Sequence, residues 1–360
     1  MINKQYEFYS NLAIPPGETL LELLEYNNFT QVDLAKRMDI SKKHINEIIK
    51  GKATISYETS IKLETIFGLK SNFWNNLERK YREILANKKQ NDKIKKERTI
   101  AKKTPYYELA KLGYVEKLKG NYSKKVINLR RFFGVSSLKL LETVFQSAYE
   151  LRIQKNKKPN PLSLASFLRI GEIEAKKNNT NYFDINILKE KIPSFRKLTL
   201  IDNPEIFIPK LIDLTSSVGS ALVITPHLKN TYINGAINWI NPHKVILMLT
   251  KRGVYTDIFW FSFFHELGHI ILHGKKDIII EYNNKPDKKE SEADAFASKT
   301  LIKPSLYKKF ILTKITKERI VQFSKKISIH PAIIIGRLQH DKIIPFNKFN
   351  HLKIKLPYNK

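Results

Sequence analysis

The sequence contains no cysteine. That absence excludes disulfides, thiolate zinc sites, iron–sulfur clusters and cysteine nucleophiles, so any metal must be held by histidine and carboxylate. Long apolar runs are also missing, with nothing near the roughly 18 residues that span a bilayer. The opening Met1-Ile-Asn-Lys-Gln-Tyr-Glu-Phe-Tyr9 lacks the apolar core of a signal peptide. A cytoplasmic protein without a membrane partner is expected. Acidic residues are scarce, 34 Asp+Glu against 64 Lys+Arg, which leaves a net charge of +30. Such an excess attracts a polyanion such as nucleic acid or an acidic membrane surface, although in a Lys-, Asn- and Ile-rich chain it can equally be solvated surface. No internal repeat is visible.

What is present describes a globular chain. At 360 residues with 42% hydrophobic and 27% charged content, the length calls for two or three domains and the composition for proper cores. Breaks in composition divide it into residues 1–84, 85–151 and 152–360. The first block reads as short amphipathic helices. Pro15-Pro16-Gly17 opens one that runs to Tyr26. Thr30 can cap a second over Gln31–Met38, with Val32, Leu34, Ala35 and Met38 inward. Asp39-Ile40 makes a turn, and Ser41 caps a third helix that Gly51 stops. Two more are predicted, from Tyr57 to Phe67 and from Ser71 to about Ile84. Residues 85–103, dominated by Lys, Asn and Gln, read as a solvated basic helix or linker, with a DNA-phosphate contact as the alternative. A mainly helical stretch follows from Tyr106 to about Leu151, then a polar break at Gln154–Pro161. The remainder mixes strand-like runs, Ser220–Thr225 and Lys244–Thr250, with helices, as in an α+β domain.

The second and third helices, joined by a tight turn, match the geometry in which the later helix enters the major groove of DNA. Its exposed candidates are Lys42, Lys43, His44 and Asn46, with Glu47 as an acceptor or a solvated neighbour. Gln31, at the start of the preceding helix, is placed to hold a phosphate. Ile45 and Ile48 belong to the core. The pattern Thr30-Gln-x-x-Leu-Ala, Ile40-Ser, Ile45-Asn-x-Ile-Ile-x-Gly51-Lys52 resembles the lambda-repressor-like helix-turn-helix family over about Ile14 to Trp74, and Ile14-Pro-Pro-Gly-Glu-Thr-Leu20 looks like its HigA-type antidote branch. The resemblance implies an all-α lambda-repressor-like domain, a double-stranded DNA operator and a homodimer, with Tyr106–Leu151 as a candidate interface.

His265-Glu266-Leu267-Gly268-His269 is a His-Glu-x-x-His motif. On a helix the two imidazoles lie at i and i+4, so both can reach one zinc ion with Glu266 beside them. Downstream, Glu290 and Asp294 share a helix face and supply a third oxygen ligand and a carboxylate that orients an imidazole. Phe264-His-Glu-Leu-Gly-His-Ile-Ile-Leu-His273, followed by Glu290-x-x-Ala-Asp-x-Phe-Ala297, resembles the ImmA/IrrE metallo-endopeptidases over roughly Leu151 to Ile344. The resemblance implies a zincin-like fold, His265, His269 and Glu290 as metal ligands, and Glu266 as general base. Glu292 is the rival third ligand, and His273 reads as an orienting or structural histidine. His330 and His340 could polarise a substrate carbonyl, with a surface or capping role the stronger reading. Zinc suits this donor set, with Mn2+ or Fe2+ as substitutes.

Together these features predict a regulator fused to a zinc endopeptidase that cuts a repressor or a toxin–antitoxin partner protein. The alternative is a non-catalytic HigA-like antitoxin or repressor with a structural or sensing metal. The strand at Val245–Thr250 is expected to bind extended substrate at a sheet edge.

Overall fold

The computed structural model describes residues 12–145, 160–231, 234–251, 255–274 and 288–356. They fall into two compact units, Met1–Arg98 and Thr99–Lys360.

The described residues of the first unit form helices α1 (Pro16–Tyr26), α2 (Gln31–Met38), α3 (Lys42–Ile49), α4 (Tyr57–Phe67) and α5 (Ser71–Lys96), joined by short turns. Each start has a local cause. Proline occupies the first turn of α1, where its missing N–H costs nothing. At α2 a capping box forms: the Asp33 N–H donates to Thr30 Oγ1 at 3.1 Å and the Thr30 N–H donates to Asp33 Oδ2 at 3.0 Å. The Ser41 side chain caps α3 by accepting from the His44 N–H. Between α2 and α3, Asp39 turns the chain in the left-handed region at φ 51°. Leu20, Leu24, Leu34, Met38, Ile45, Ile48, Leu63 and Trp74 share one core. Val32, assigned inward by spacing, is exposed; it lies two residues, or about 200° of helix, from Leu34, so it faces away from the stripe that Leu34, Ala35 and Met38 form. Helix α5 runs on through Lys96 rather than ending near Ile84. Residues 85–96 hold no glycine or proline, and a polar surface does not stop a helix made largely of residues with good helical propensity.

Helix α6 (Arg98–Lys103) begins at the boundary, and the second unit continues with α7 (Tyr106–Lys111), α8 (Tyr122–Phe133) and the short α9 (Leu141–Val144). The rest of the stretch expected to reach Leu151, and most of the polar break beyond it, lie outside the described residues. Helices α10 (Pro161–Ala175), α11 (Ile185–Leu198) and α12 (Pro204–Ser217) lead into β1 (Ser220–Thr225), β2 (Gly235–Asn241) and β3 (Lys244–Thr250). The sheet order is β1-β3-β2. Strand β1 runs parallel to β3, Ser220 opposite Val245, and β2 runs antiparallel to it, Gly235 opposite Leu249. The run Val245–Thr250 is therefore the central strand, with both edges paired, and it cannot accept a substrate strand. Its unbroken apolar character is that of a strand covered on both faces.

After the sheet come α13 (Thr256–His273), α14 (Lys288–Leu301), α15 (Pro304–Ile311), α16 (Lys317–Ile327) and α17 (Pro331–His340). Phe259, Trp260, Phe263, Phe264, Leu267 and Ile270 of α13 are buried with Leu247 and Leu249 in the main core. That anchors one side of α13 and leaves the other to carry histidines. Among the described residues no helix is long and apolar enough to cross a membrane.

Removing the Thr30 hydroxyl by Thr30→Ala is expected to cost roughly 1 kcal/mol of stability in the first unit, as loss of a helix cap generally does. Equilibrium urea unfolding followed by circular dichroism measures it; an unchanged midpoint would mean that the cap contributes nothing.

Candidate metal centre

The aromatic side of α13 is fixed in the core, so residues at i, i+4 and i+8 on the opposite side form a row: His265, His269 and His273. Their side chains are 17%, 18% and 9% exposed, which leaves the first two accessible and the third nearly covered. Helix α14 packs along this row. Its buried Ala293 and Ala297 allow close approach, and Glu290, Glu292 and Asp294 reach across.

The Nε2 atoms of His265 and His269 are 3.0 Å apart. Glu290 completes the group, with Oε2 at 3.2 Å from His265 Nε2 and Oε1 at 3.3 Å from His269 Nε2. Ligands 2.0–2.1 Å from a tetrahedral ion are separated by about 3.3 Å, so these three donor atoms fit one small divalent cation. Two imidazoles and a carboxylate are a donor set suited to zinc, manganese or iron.

Two further contacts orient the imidazoles. Asp294 Oδ1 lies 2.8 Å from His265 Nδ1. A proton on Nδ1, donated to this carboxylate, leaves the Nε2 lone pair facing Glu290. His269 Nδ1 lies 2.9 Å from His273 Nδ1, and His273 Nε2 lies 3.1 Å from Glu292 Oε2. With the His269 Nε2 lone pair turned to the ligand group, His269 donates through Nδ1, His273 accepts, and the far N–H of His273 donates to Glu292. Glu292 is thereby occupied at the end of this chain and is not in the three-atom group. The resemblance put the third ligand on Glu290 with Glu292 as the rival, and the geometry brings Glu290 to both imidazoles.

Glu266 is buried beside the group, and desolvation pushes its carboxyl up to about 7. Burial alone would lower His265, but hydrogen bonds to Asp294 and Glu290 outweigh it and raise the imidazole to about 10 in the metal-free chain. Glu290 is affected oppositely: burial would raise it, and the two histidines hold it far below the usual carboxylate range.

The sequence reading missed Gly235. A Cβ placed there would come within 2.5 Å of Glu266 Oε1, so any other residue would force this carboxylate to move as β2 passes over it. The signal was available, since two apolar runs flanking the two-residue Pro242-His243 link are a hairpin pattern. His330 does not reach the site; its Nδ1 accepts from the Ala332 N–H to cap α17, and its Nε2 pairs with Asp202. His340 is exposed beside Asp341.

In the first unit, Lys42 and Lys43 are exposed at the start of α3, and His44 and Asn46 are half-buried on it. Gln31 stands at the first position of α2. Ile45 and Ile48 are core.

A helix holding His-Glu-x-x-His against a carboxylate as third ligand defines a metallopeptidase-like centre, and the family comparisons agree. Residues 13–74 match the helix-turn-helix family model, and residues 242–330 match the IrrE N-terminal-like domain, a peptidase family. One stretch of the chain thus resembles a helix-turn-helix of the XRE type and another a metallopeptidase-like IrrE domain, a family that implies a metal. The second match spans β3 through α16 and contains all the residues of the centre. Among solved structures, the chain is similar to an addiction module antidote protein of a HigA family from Coxiella burnetii, with 35% identity over 24% of this chain and 94% of that one and a TM-score of 0.22. It is also similar to an antidote protein of a plasmid maintenance system from Nostoc punctiforme, with 24% identity over 23% and 91% and a TM-score of 0.23. A comparison with curated proteins returns no significant match.

The orienting chain makes a test. His273→Phe leaves the three donor atoms in place but removes the acceptor for His269 Nδ1, and is expected to weaken Zn2+ binding roughly 10- to 100-fold, as loss of such partners does elsewhere. Competition with a chromogenic chelator reads this directly. The same titration should show affinity rising with pH from 6 to 8. A proton and a metal compete for His265, whose imidazole stays protonated up to about 10 in the free site, so binding releases a proton throughout that window. A pH-independent affinity would contradict the assignment.

Proposed function

We propose that this chain is a cytoplasmic DNA-binding transcriptional regulator with a zinc-dependent endopeptidase, acting on a repressor or a toxin–antitoxin partner protein. The observation that carries the reading is the convergence of His265, His269 and Glu290 with the buried Glu266 beside them, on a chain that also holds a helix-turn-helix. The labour divides as residues 1–84 for DNA, 85–151 as basic linker and helical connector, and 152–360 for peptidase chemistry.

In this reading His265, His269 and Glu290 hold one Zn2+, or Mn2+ or Fe2+ where supply favours it. Bound there, the ion supplies Lewis acidity toward a scissile carbonyl and acidifies water. Asp294 and His273 keep the two imidazoles in their ligating tautomers. Glu266 takes a proton from the attacking water and later delivers it to the leaving amine. In the metal-free chain burial lifts its carboxyl to about 7, and the positive charge of a bound ion would favour the ionised form that accepts the proton.

Substrate lies along β2 rather than β3. Among the described residues no strand covers the outer edge of β2. The Thr250 N–H donates to the Asn234 carbonyl at 2.8 Å, so this opposed pair is bonded. Alternation along an antiparallel ladder then turns the N–H and C=O of Gly235 and Ile237 away from β3. Those groups can pair with an extended peptide, and Gly235 sets it beside Glu266.

On the DNA side, Lys42, Lys43, His44 and Asn46 of α3 read or touch a double-stranded operator, and Gln31 holds a phosphate. A homodimer fits a two-fold operator.

Glu266→Gln should retain one zinc per chain and lose at least about 100-fold in cleavage of a co-expressed partner protein. Retained cleavage refutes the general-base role. Zinc binding without any cleavable partner favours the non-catalytic HigA-like regulator. Separately, Lys43→Ala with Asn46→Ala should weaken binding to the protein's own promoter by at least roughly tenfold in a gel-shift titration. Unchanged affinity would remove α3 as the reading helix.

A further inference from the structure

The helix that carries the metal centre has no cap of its own. Tyr255 precedes it and makes no side-chain capping bond. The missing partner comes from the far end of the chain: the Thr256 N–H donates to the Ile354 carbonyl at 2.9 Å, and Tyr255 pairs with Lys355 in an antiparallel bridge. Behind this contact lies a buried ion pair. Lys353 Nζ donates to Asp257 Oδ2 at 2.6 Å, with side chains only 5% and 8% exposed. The same ammonium donates to Gln339 Oε1 at 2.7 Å. Gln339 in turn holds the tail's own backbone, its two Nε2 N–H groups shared among the Phe346 and Lys348 carbonyls and Asn350 Oδ1 at 3.0–3.1 Å. Gly336 of α17 lacks the side chain that would collide with the Asp257 carboxylate. Leu356 then enters the main core.

We propose that residues 345–356 are a strap that fixes the start of α13, and that Asp257 and Lys353 are positioning residues for the metal centre. This rests on the metallopeptidase reading above. His265 lies eight residues beyond Asp257, about 12 Å along a rigid helix, and its neighbours in the row have to meet side chains of α14. A small shift or rotation of α13 therefore moves all its donors together relative to Glu290 and Asp294. The charged pair suits this role because a buried carboxylate and ammonium accept few other partners, so it selects one register of tail against helix. It follows that a ligand or protein that peels the C-terminal tail away loosens the metal site without touching it.

The test uses the full-length, metal-free chain titrated with Zn2+ against a chromogenic chelator. Lys353→Met is expected to weaken binding by at least about tenfold, and Asp257→Asn with Lys353→Gln, a neutral hydrogen-bonding pair, to recover most of that loss. Hydrogen exchange of the wild type supplies a readout free of substitutions. By reciprocity, Zn2+ must slow exchange of the Thr256 amide by a similar factor. If Lys353→Met lowers the thermal midpoint but leaves Zn2+ affinity intact, the strap supports only the fold and the inference is overturned. If that variant does not fold, the exchange measurement decides, and a Thr256 amide indifferent to Zn2+ overturns it equally. A wild-type chain that takes up no Zn2+ at all refutes the metallopeptidase reading, and the inference with it.

Discussion

The chemistry of this protein depends on how closely α14 lies against α13. The small buried residues Ala293 and Ala297 on one helix and Gly268 on the other let the backbones approach. Only at that distance do Glu290 and Asp294 reach His265 and does Glu292 reach His273. Placing three imidazoles in a row along a largely buried helix face is costly by itself. The three carboxylates of α14 offset that cost, and each takes a different partner or a different nitrogen.

The same packing separates two glutamates that would behave alike in water. Glu266, turned toward β2 and the core, loses solvent and keeps its proton up to about 7. Glu290, turned toward the imidazoles, is held well below the usual carboxylate range because His265 and His269 favour its charge. Environments that push two carboxyl groups apart in this way fit them to different tasks. The aromatic side of α13 contributes by being immovable: with Phe259, Trp260, Phe263 and Phe264 packed in the core, the helix cannot rotate to relieve the polar side.

Much of this was legible before any coordinates. The five helices of the first unit begin where Pro16, Thr30, Ser41, Tyr57 and Ser71 announce them, because caps, proline and glycine act within a few residues of themselves. The metal motif was equally plain, since i and i+4 on a helix is a local relation. What failed were judgements about context. Val32 looks apolar enough for the core, yet the stripe on α2 had already chosen the other side. The polar composition after Ile84 did not end α5. The run Val245–Thr250 reads as a strand from its residues alone, but whether it is central or at an edge depends on β2, which comes from a weaker pattern.

The sequence by itself therefore determined the two modules, the helix-turn-helix geometry, and the identity of His265, Glu266 and His269 as a unit. It named Glu290 as the third ligand only through the family resemblance, and kept Glu292, two residues away on the same helix, as a rival. That choice was made by the crossing of α14 over α13, which directs one carboxylate to the imidazole pair and the other to His273. Nor could it connect Lys353 with Asp257, 96 residues away, or set Gly235 over Glu266. Such contacts obey no local periodicity; they exist because the sheet, the histidine-bearing helix and the C-terminal tail fill one core together.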